Sequence, residues 1–395
     1  MKADVALIGG GIIGSAIAYF LARDARSGSI IVIEPDLSYQ HATTPQGAGG
    51  VRRLFSLPEH IWMSKYSLDF YRNFSETMAI DGEPAEIDFK AQGYLFVAGE
   101  DGARQLELNY RLQAAEGVRV DLLDVEALRQ RFPSIGASDV ALAVHSPDDG
   151  WIDPQSALHG FRRKAQRLGV HYLAGRVQRF EASDKHITTA VLQSQDKIEA
   201  ELFVNAAGPW AAEVARMAGM VLPVEPMCRL QHYWLCRADI EPLPLVKDES
   251  GLFFRPEGQG YVGGRPSFEI KPGFLFEDTN GRFEAQLGDY FEKVVWPLLS
   301  TRVPKFEALR SVRSWSGHYA QNMMDGNMIL GSWVGGCHNY YVACGLAGHG
   351  IMHAPAVGLA TAELLLDGRF STMDLSRLGY QRLIDGAPYP EKGII

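Results

Sequence analysis

The chain has 395 residues, of which 46% are apolar and 22% charged, and its formal net charge is −9. This length suffices for two domains with substantial cores, and the composition is typical of a globular protein. The negative charge argues against nucleic acid or an anionic membrane as the main partner.

A glycine-rich turn near the amino terminus follows an apolar run of strand length and precedes a helix-like run. Gly9, Gly11 and Gly14 give the pattern G-x-G-x-x-G. The first glycine permits the tight turn, the second lets the backbone approach a pyrophosphate, and the third allows close helix–strand packing. A second apolar run, residues 30–33, ends in Glu34, where a dinucleotide fold places a carboxylate for ribose hydroxyls. The pattern predicts dinucleotide binding.

The alternative for residues 5–22 is a signal peptide or membrane anchor, because most of them are apolar. Lys2 is the one basic residue before the run, and Asp4 cancels its charge, so a positive leader is absent. No later run is long and apolar enough to span a bilayer. The four cysteines show no zinc or C-x-x-C spacing, which favours buried thiols in a reducing compartment. We therefore expect no transmembrane segment and a cytoplasmic location.

The next part of the chain contains a loop and an insertion. Residues 41–53 are small, polar and glycine-rich without a helical or alternating period, so they form either a plain surface loop or one that folds onto a cofactor. Helical spacing follows over residues 61–74. Residues 85–145 hold short strand-like runs at 93–98 and 118–123 and a charged helix at 125–132, which predicts an insertion into the nucleotide domain.

A new helix is predicted after residues 149–152. Asp153 as N-cap and Pro154 at the first position begin it, and Gly169 ends it. Its apolar face is marked by Leu158, Phe161, Ala165 and Leu168. Strands are predicted at 170–173 and 201–205, and small residues after the second leave room for a ligand at the crevice of the sheet.

Residues 222–320 are aromatic and strand-rich, with glycine turns and one amphipathic segment at 283–299, which predicts an antiparallel substrate domain. A strand at 340–344 then leads through a second glycine-rich turn into a helix at 351–366. The chain therefore divides into a discontinuous nucleotide domain and a substrate domain. The boundaries are 1–84, 146–221 and 325–395 for the first, and 85–145 and 222–324 for the second.

With these segments in place, the chain resembles the D-amino-acid oxidase (DAO) superfamily of FAD enzymes over nearly its whole length. It is most similar to the branch of sarcosine oxidase and dimethylglycine dehydrogenase, and within it to FAD-dependent oxidoreductase domain-containing proteins. The matching segments are residues 9–14 with Glu34, 43–53, 149–154, 205–210 and 345–355. The resemblance implies an α/β fold of the DAO and glutathione-reductase type. A Rossmann-type FAD domain is joined there to an α+β substrate domain with an antiparallel sheet.

The resemblance also implies which residues contact FAD. The glycine turn and Glu34 hold the ADP half, and residues 348–351 lie against the pyrimidine edge of the flavin, where N–H groups and a helix dipole stabilise negative charge. The predicted FAD-contacting residues are Gly9, Gly11, Ile12, Ile13, Gly14, Glu34, Pro35, Thr43, Thr44, Gly49, Gly50, Val177, Ala206, Ala207, Gly208, Trp210, Gly348, His349, Gly350, Ile351 and Met352.

In such enzymes hydride leaves a carbon next to an amine nitrogen for flavin N5, and the imine then hydrolyses. The substrate nitrogen must be unprotonated, and an amino-acid carboxylate needs a cation, preferably a guanidinium. Arg52 matches the carboxylate-binding arginine of the family, and Arg265 falls close to its active-site histidine. The other candidate catalytic residues are Arg255, Tyr319 and His349. Each has an ordinary structural role as its alternative, which for His349 is a backbone role at the helix start.

Several positions depart from the family pattern. Gly317 and Gln46 occupy the two positions where relatives bear a covalent flavin link, which predicts non-covalent FAD. Met352 replaces a lysine associated with oxygen activation, and Gly49 replaces an arginine over the flavin. The electron acceptor therefore stays open among a quinone, an electron-transfer flavoprotein and O₂.

The leading hypothesis is an FAD-dependent dehydrogenase or oxidase of a small amino acid or N-alkyl amine. A 2-hydroxy-acid dehydrogenase on the same fold also needs a cation for its carboxylate. A non-catalytic flavoprotein that serves as an assembly or scaffold factor is the alternative from another class.

Overall fold

The computed structural model describes residues 1–267, 270–276 and 289–394. The strands are β1 (Lys2–Ile8), β2 (Ile30–Glu34), β3 (Gly50–Val51), β4 (Tyr94–Ala98), β5 (Asp121–Leu123), β6 (Leu142–Ser146), β7 (Gly150–Trp151), β8 (His171–Ala174), β9 (Val177–Ser183), β10 (His186–Leu192), β11 (Lys197–Asn205), β12 (Val224–Leu235), β13 (Leu245–Asp248), β14 (Phe253–Glu257), β15 (Gly260–Gly264), β16 (Arg310–Asn322), β17 (Ile329–Ser332) and β18 (Tyr340–Cys344). The α-helices are α1 (Ile12–Ala22), α2 (Pro58–Arg72), α3 (Phe74–Thr77), α4 (Glu100–Ala115), α5 (Val125–Arg131), α6 (Pro154–Arg167), α7 (Ala211–Met217), α8 (Trp296–Arg302), α9 (Gly350–Asp367) and α10 (Gln381–Ile384).

The first sheet has a parallel core in the order β18-β11-β1-β2-β8. Strand β17 and the β9–β10 hairpin extend it in antiparallel fashion. Ile8 is in register with both Asn205 and Ile33, so the carboxyl ends of β1, β11 and β2 lie side by side. This edge is where ligands bind in open α/β sheets.

Helix α9 packs directly against α1 on one face of this sheet. A Cβ at Gly358 would lie only 2.9 Å from the backbone of Ala16, so the close crossing of the two helices requires glycine there. Pro355 interrupts the hydrogen bonds inside α9 because it has no N–H. The carbonyl of Ile351, four residues earlier, accepts a hydrogen bond from the hydroxyl of Tyr71 instead, at 2.6 Å.

The second sheet has the order β16-β12-β15-β14-β13-β4-β6-β5 and is mixed. Strands β4 and β13 pair in parallel, with Phe96 beside Lys247, whereas the other neighbours are antiparallel. The prediction of an antiparallel sheet is wrong at this pair. Parallel pairing requires a long crossover, and the chain between residues 98 and 245 supplies it. Residues 85–145, predicted to be an insertion, contribute β4, β5 and β6 to this sheet.

Helix α6 confirms the capping prediction. The side chain of Asp153 accepts a hydrogen bond from the backbone N–H of Ser156 at 2.6 Å, and Pro154 is the first helical residue. Leu168, predicted to lie on the apolar face, is 41% exposed. It is the C-cap residue, where the chain leaves the helix axis to turn at Gly169 with φ of 101°.

Two further predictions differ from the structure in extent. The strand expected at 118–123 is confined to β5. Of the amphipathic segment at 283–299, residues 283–288 lie outside the described ranges, and the remainder is a π-helical turn at Phe291–Val295 that continues into α8.

Over the described ranges, no helix combines the length and the apolar character needed to cross a membrane. The four cysteines form no disulfide in the described part of the chain; Cys228, Cys337 and Cys344 are buried as predicted, but Cys236 is only half-buried. The domain boundaries inferred from the sequence remain a prediction.

Candidate active site

A cavity of about 830 Å³ lies at the carboxyl ends of β1, β2 and β11 and is bounded on another side by residues of the second sheet. Its size is within the range of small-molecule sites. Every predicted FAD-contacting residue except Gly14 lines it: Gly9, Gly11, Ile12, Ile13, Glu34, Pro35, Thr43, Thr44, Gly49, Gly50, Val177, Ala206, Ala207, Gly208, Trp210, Gly348, His349, Gly350, Ile351 and Met352. The cavity brings these residues together, and their individual contacts with FAD remain predictions.

The three glycines of the first turn meet different surroundings. Gly9 has φ of 101°, and a Cβ there would lie 2.5 Å from the carbonyl oxygen of Ala206. A Cβ at Gly14 would overlap the carbonyl oxygen of Gly9, so Gly14 lies beneath the turn rather than on the cavity wall. A Cβ at Gly11 would have no atom within 4 Å. This space is where a phosphate is predicted to approach.

Glu34 lies at the end of β2 and accepts two backbone hydrogen bonds. Oε2 accepts from the N–H of Gly10 at 2.8 Å, and Oε1 accepts from the N–H of Asp36 at 3.0 Å. Burial raises the pKa of Glu34. Nearby, α1 begins at Ile12 with no side chain capping it, so the N–H groups of its first turn are available to an anion.

The second glycine turn connects β18 to α9. Gly348 has φ of 89°, and a Cβ there would lie 2.5 Å from the ring of Tyr319, so this tyrosine packs directly on the turn. Tyr319 also lines the cavity, as expected of a candidate catalytic residue. His349 is the N-cap residue of α9 but makes no side-chain capping bond. Met352, in the first turn of α9, is 6% exposed and lines the cavity.

The loop before β3 is held on β16. Thr43 Oγ1 donates a hydrogen bond to the carbonyl of His318 at 2.6 Å, and Trp315 Nε1 donates to the carbonyl of Gln46 at 3.1 Å. A Cβ at Gly317 would lie 3.1 Å from Cβ of Gln46. Gln46 and Gly317, the two positions that the resemblance marks for a flavin link, are therefore neighbours, and neither residue is a nucleophile.

Arg52 lines the cavity although it is only 3% exposed. Its guanidinium donates to the carbonyl of Leu54, lies 3.3 Å from Nε2 of His349, and stacks 4.0 Å from the centre of the Phe55 ring. Among the described residues it forms no ion pair with a carboxylate. Glu391 and Asp149 favour its charge from a distance, but a buried guanidinium outside any ion pair is still costly, so Arg52 is suited to receive an anionic ligand.

The histidines next to Arg52 are neutral. Burial lowers the pKa of His60 to about 3 and the pKa values of His349 and His353 well below the usual value. A guanidinium has only donors, so Nε2 of His349 is the acceptor in their contact. His349 thus positions Arg52 without adding charge. On the other side of this cluster, Glu391 lies 3.2 Å from His60 and accepts a hydrogen bond from the N–H of Ser56.

Two predicted arginines do not line the cavity, in contrast to the expectation. Arg255 Nε donates to the carbonyl of Ala48 at 2.7 Å, and its guanidinium also pairs with Glu257. Arg265 Nε donates to the carbonyl of Ser250 at 3.0 Å. Each guanidinium therefore holds a backbone carbonyl of a neighbouring loop. This geometry favours a structural role for both arginines over the predicted catalytic one.

Sequence reasoning missed three basic residues of the cavity: Arg176 after β8, Arg229 on β12 and Lys247 on β13. The alternation within β13 was a usable signal, because Leu245 and Lys247 share a face and Val246 lies on the opposite one. Which face borders the cavity depends on strand pairing across the sheet, which the pattern alone does not give. Tyr94, on β4, also lines the cavity and was not predicted.

These residues fit the dinucleotide part of FAD. An open space at Gly11, an uncapped helix start and a carboxylate at Glu34 are the features that a pyrophosphate and a ribose need. The sequence profile of the DAO family, described as FAD dependent oxidoreductase, matches residues 4–364. The chain belongs to the DAO family of FAD-dependent oxidoreductases. FAD is its cofactor.

Relatives of this DAO-family chain extend over its whole length. FAD-dependent oxidoreductase domain-containing protein 1 of Bos taurus is 37% identical over 436 residues, covering 100% of this chain and 87% of the relative. The 4-methylaminobutanoate oxidase (formaldehyde-forming) of Paenarthrobacter nicotinovorans is 28% identical, covering 92% of this chain and 43% of the relative. The crystal structure of L-proline dehydrogenase from P.horikoshii matches with a TM-score of 0.81 at 26% identity, covering 98% and 99% of the two chains.

We expect this DAO-family chain to bind FAD without a covalent link. Glutamine and glycine occupy positions 46 and 317, which contact each other, so no nucleophile is present at either. Acid precipitation of the holoprotein should release all yellow colour into the supernatant. His41 also lines the cavity. Flavin retained in the pellet would contradict the prediction. If the His41→Ala variant then released its flavin into the supernatant, His41 would be the linking residue.

Proposed function

We propose that the chain oxidises the C–N bond of a small amino acid or N-alkyl amino acid. The observation that carries this proposal is Arg52, a buried guanidinium on the cavity wall without a carboxylate partner among the described residues. It lies beside His349 in the turn where the flavin ring is predicted to bind. A substrate carboxylate held by Arg52 would place the neighbouring carbon and nitrogen near that turn.

The names of the relatives support this substrate class. The 4-methylaminobutanoate oxidase is named for a substrate that carries both a methylated amine and a carboxylate. The P.horikoshii enzyme is named for proline, which is a secondary amine with a carboxylate. Such substrates require the same two features of a binding site: a cation that binds the carboxylate and an acceptor for the hydride.

Bound FAD would supply the acceptor for the hydride that leaves the carbon next to the amine. The residues of the chain bind the substrate, orient it and favour its neutral amine. Arg52 binds the carboxylate and fixes the orientation of the substrate, and His349 holds the guanidinium in place. The positive charges of Arg52 and Arg229 disfavour a protonated amine nearby, so they lower the pKa of the substrate nitrogen towards the reactive neutral form.

The test is anaerobic loss of the visible absorbance of oxidised flavin. The holoprotein is mixed with a panel of N-alkyl amino acids, D- and L-amino acids and 2-hydroxy acids. Bleaching by amino or N-alkyl amino acids supports the proposal. Bleaching by hydroxy acids alone would favour the hydroxy-acid alternative, and bleaching by none would contradict enzyme function on either class.

We expect the reduced protein to react slowly with O₂. A nearby ammonium stabilises superoxide, but Met352 supplies no charge in the first turn of α9. Burial lowers the pKa of Lys247 to about 7, so above that pH this amine is mostly neutral. Met352→Lys should accelerate reoxidation about tenfold, equivalent to ~1.4 kcal/mol, and Met352→Arg, whose guanidinium stays protonated when buried, should do so even at a pH of about 8.5.

The measurement is stopped-flow mixing of the substrate-reduced protein with air-saturated buffer. Met352→Gln, polar but uncharged, is the control and should behave as the unmodified chain does. Reoxidation of the unmodified chain as fast as its substrate turnover would show an oxidase and contradict the expectation.

A further inference from the structure

Three basic side chains line the part of the cavity next to the second glycine turn: Arg52, Arg229 and Lys247. They come from three separate segments, namely the loop after β3, strand β12 and strand β13. Arg52 and Arg229 both influence Tyr319 electrostatically, and both act on Lys247. The three basic groups line one cavity, and Arg229 stacks on Tyr319 beside the turn, so they can act on one bound molecule.

Lys247 makes no hydrogen bond or ion pair with any described residue, although Asp248 is its neighbour in sequence. The carboxylate of Asp248 is directed elsewhere. It lies 3.3 Å from Arg302 and accepts hydrogen bonds from Ser250. Lys247 also pairs across the sheet with Phe96 and Phe253, neither of which offers a charge.

Arg229 is similarly without a carboxylate partner in the described part of the chain. Its Nη1 donates to the carbonyl of Cys228 at 3.0 Å, and its guanidinium stacks 5.3 Å from the centre of the Tyr319 ring. Nε of Arg229 is buried and has no hydrogen-bond partner. A buried donor without a partner is costly, and a bound acceptor removes that cost.

Glu391 and Asp149 act on Arg52 electrostatically, but among the described residues no carboxylate forms an ion pair with Arg52, Arg229 or Lys247. Glu391 is held by Ser56 and His60, and burial raises its pKa. The carboxylate of Glu249 lies within 3 Å of where a Cβ at Gly99 would be, at the start of α4, so it is directed to that helix. Donors of Arg52, Arg229 and Lys247 therefore stay available to a bound anion.

We propose that the substrate carries a second anionic group, bound by Lys247 and Arg229, in addition to the carboxylate bound by Arg52. This rests on the proposed function and specifies its substrate class as amino or N-alkyl amino dicarboxylates. A single carboxylate bound bidentately by Arg52 leaves Lys247 and Arg229 unpaired in a partly buried cavity, which is unfavourable. A second carboxylate offers acceptors to both.

The decisive experiment measures binding and requires no turnover. The holoprotein is titrated with succinate and with propionate, which differ by one carboxylate, and the flavin absorbance change gives each dissociation constant. We expect succinate to bind about tenfold or more tightly than propionate. In Lys247→Met/Arg229→Met this ratio should fall to near one, with propionate affinity retained.

Controls separate this result from other effects. Lys247→Arg keeps a positive charge and should keep most of the preference for succinate. If the double variant does not fold, the two single methionine variants replace it, and each should show a smaller fall in the ratio of the two affinities. Arg310→Met, exposed at the start of β16, should change neither constant. A ratio unaffected by both single variants, or no preference in the unmodified chain, would overturn the inference. Failure of the proposed function would appear separately, as absence of bleaching.

Proton uptake gives a second measurement. Burial, followed by Arg52 and Arg229, lowers the pKa of Lys247 to about 7, and Asp248 opposes the shift; His349, which also faces it, is neutral. A bound anion raises this pKa, so succinate binding near a pH of about 8 should take up close to one proton. Its affinity should fall as the pH rises through the raised pKa. Calorimetry in buffers of different ionisation enthalpy measures the uptake, and no uptake in the unmodified chain would contradict the role of Lys247.

Discussion

Arg52→Ala should lower kcat/KM for the amino-acid substrate by about thirty- to a thousandfold, which corresponds to ~2–4 kcal/mol of transition-state binding. The guanidinium is fixed by the carbonyl of Leu54, the ring of Phe55 and Nε2 of His349. It therefore meets the substrate carboxylate without reorganising. Arg52→Lys should recover only part of the loss, because an ammonium lacks the planar fork. The measurement is steady-state kinetics per FAD-containing chain.

The neighbouring Arg53 provides a matched control. It is buried like Arg52, but its Nε lies 2.7 Å from Asp149, whose carboxylate is fully buried. Arg53→Ala leaves that charge unpaired and should destabilise the fold by about 3–5 kcal/mol while the remaining holoprotein keeps its kcat/KM. Near-normal kcat/KM with full FAD content in Arg52→Ala would contradict the carboxylate role. Loss of FAD in Arg52→Ala would assign Arg52 to the support of the cofactor loop.

The features that sequence reasoning predicted well are determined by local backbone requirements. Gly9 has a positive φ and Gly14 cannot accept a Cβ, so the pattern of the turn reflects constraints within a few residues. Glu34 ends β2, and the short apolar run before it has the length of a buried strand. The same holds for Asp153 and Pro154, whose capping geometry is local to one helix turn.

The features that were missed depend on contacts between remote segments. Lys247 reaches the cavity because β13 pairs with β4, more than a hundred residues earlier in the chain. Arg255 was predicted to face the substrate, but the carbonyl of Ala48 and the carboxylate of Glu257 hold its guanidinium. The alternation of apolar and polar residues within β13 or β14 does not indicate which remote segments these side chains contact. Charged side chains of the substrate half are therefore the least predictable part of the site.

Gly14→Ala and Gly11→Ala should both lower the FAD content of the purified protein, but for different physical reasons. The added methyl at Gly14 overlaps the carbonyl oxygen of Gly9, which is backbone and cannot rotate away. Helix α1 must then move from β1, and we expect a loss of about 3 kcal/mol or more of folding stability. Circular dichroism and thermal unfolding should show a destabilised or unfolded chain that excess FAD does not restore.

The methyl at Gly11 meets no atom within 4 Å, and φ of −62° at this residue suits alanine. The fold should persist, with a cost below about 1 kcal/mol for alanine at the N-cap. The methyl does occupy the space predicted for the pyrophosphate, so the dissociation constant of FAD should rise about 10- to 100-fold, or ~1–3 kcal/mol. Flavin content after purification and fluorescence titration with added FAD measure this. Unchanged FAD affinity in a folded Gly11→Ala variant would show that the phosphates do not approach this residue, and it would remove the turn from the binding site even though the fold requires Gly14.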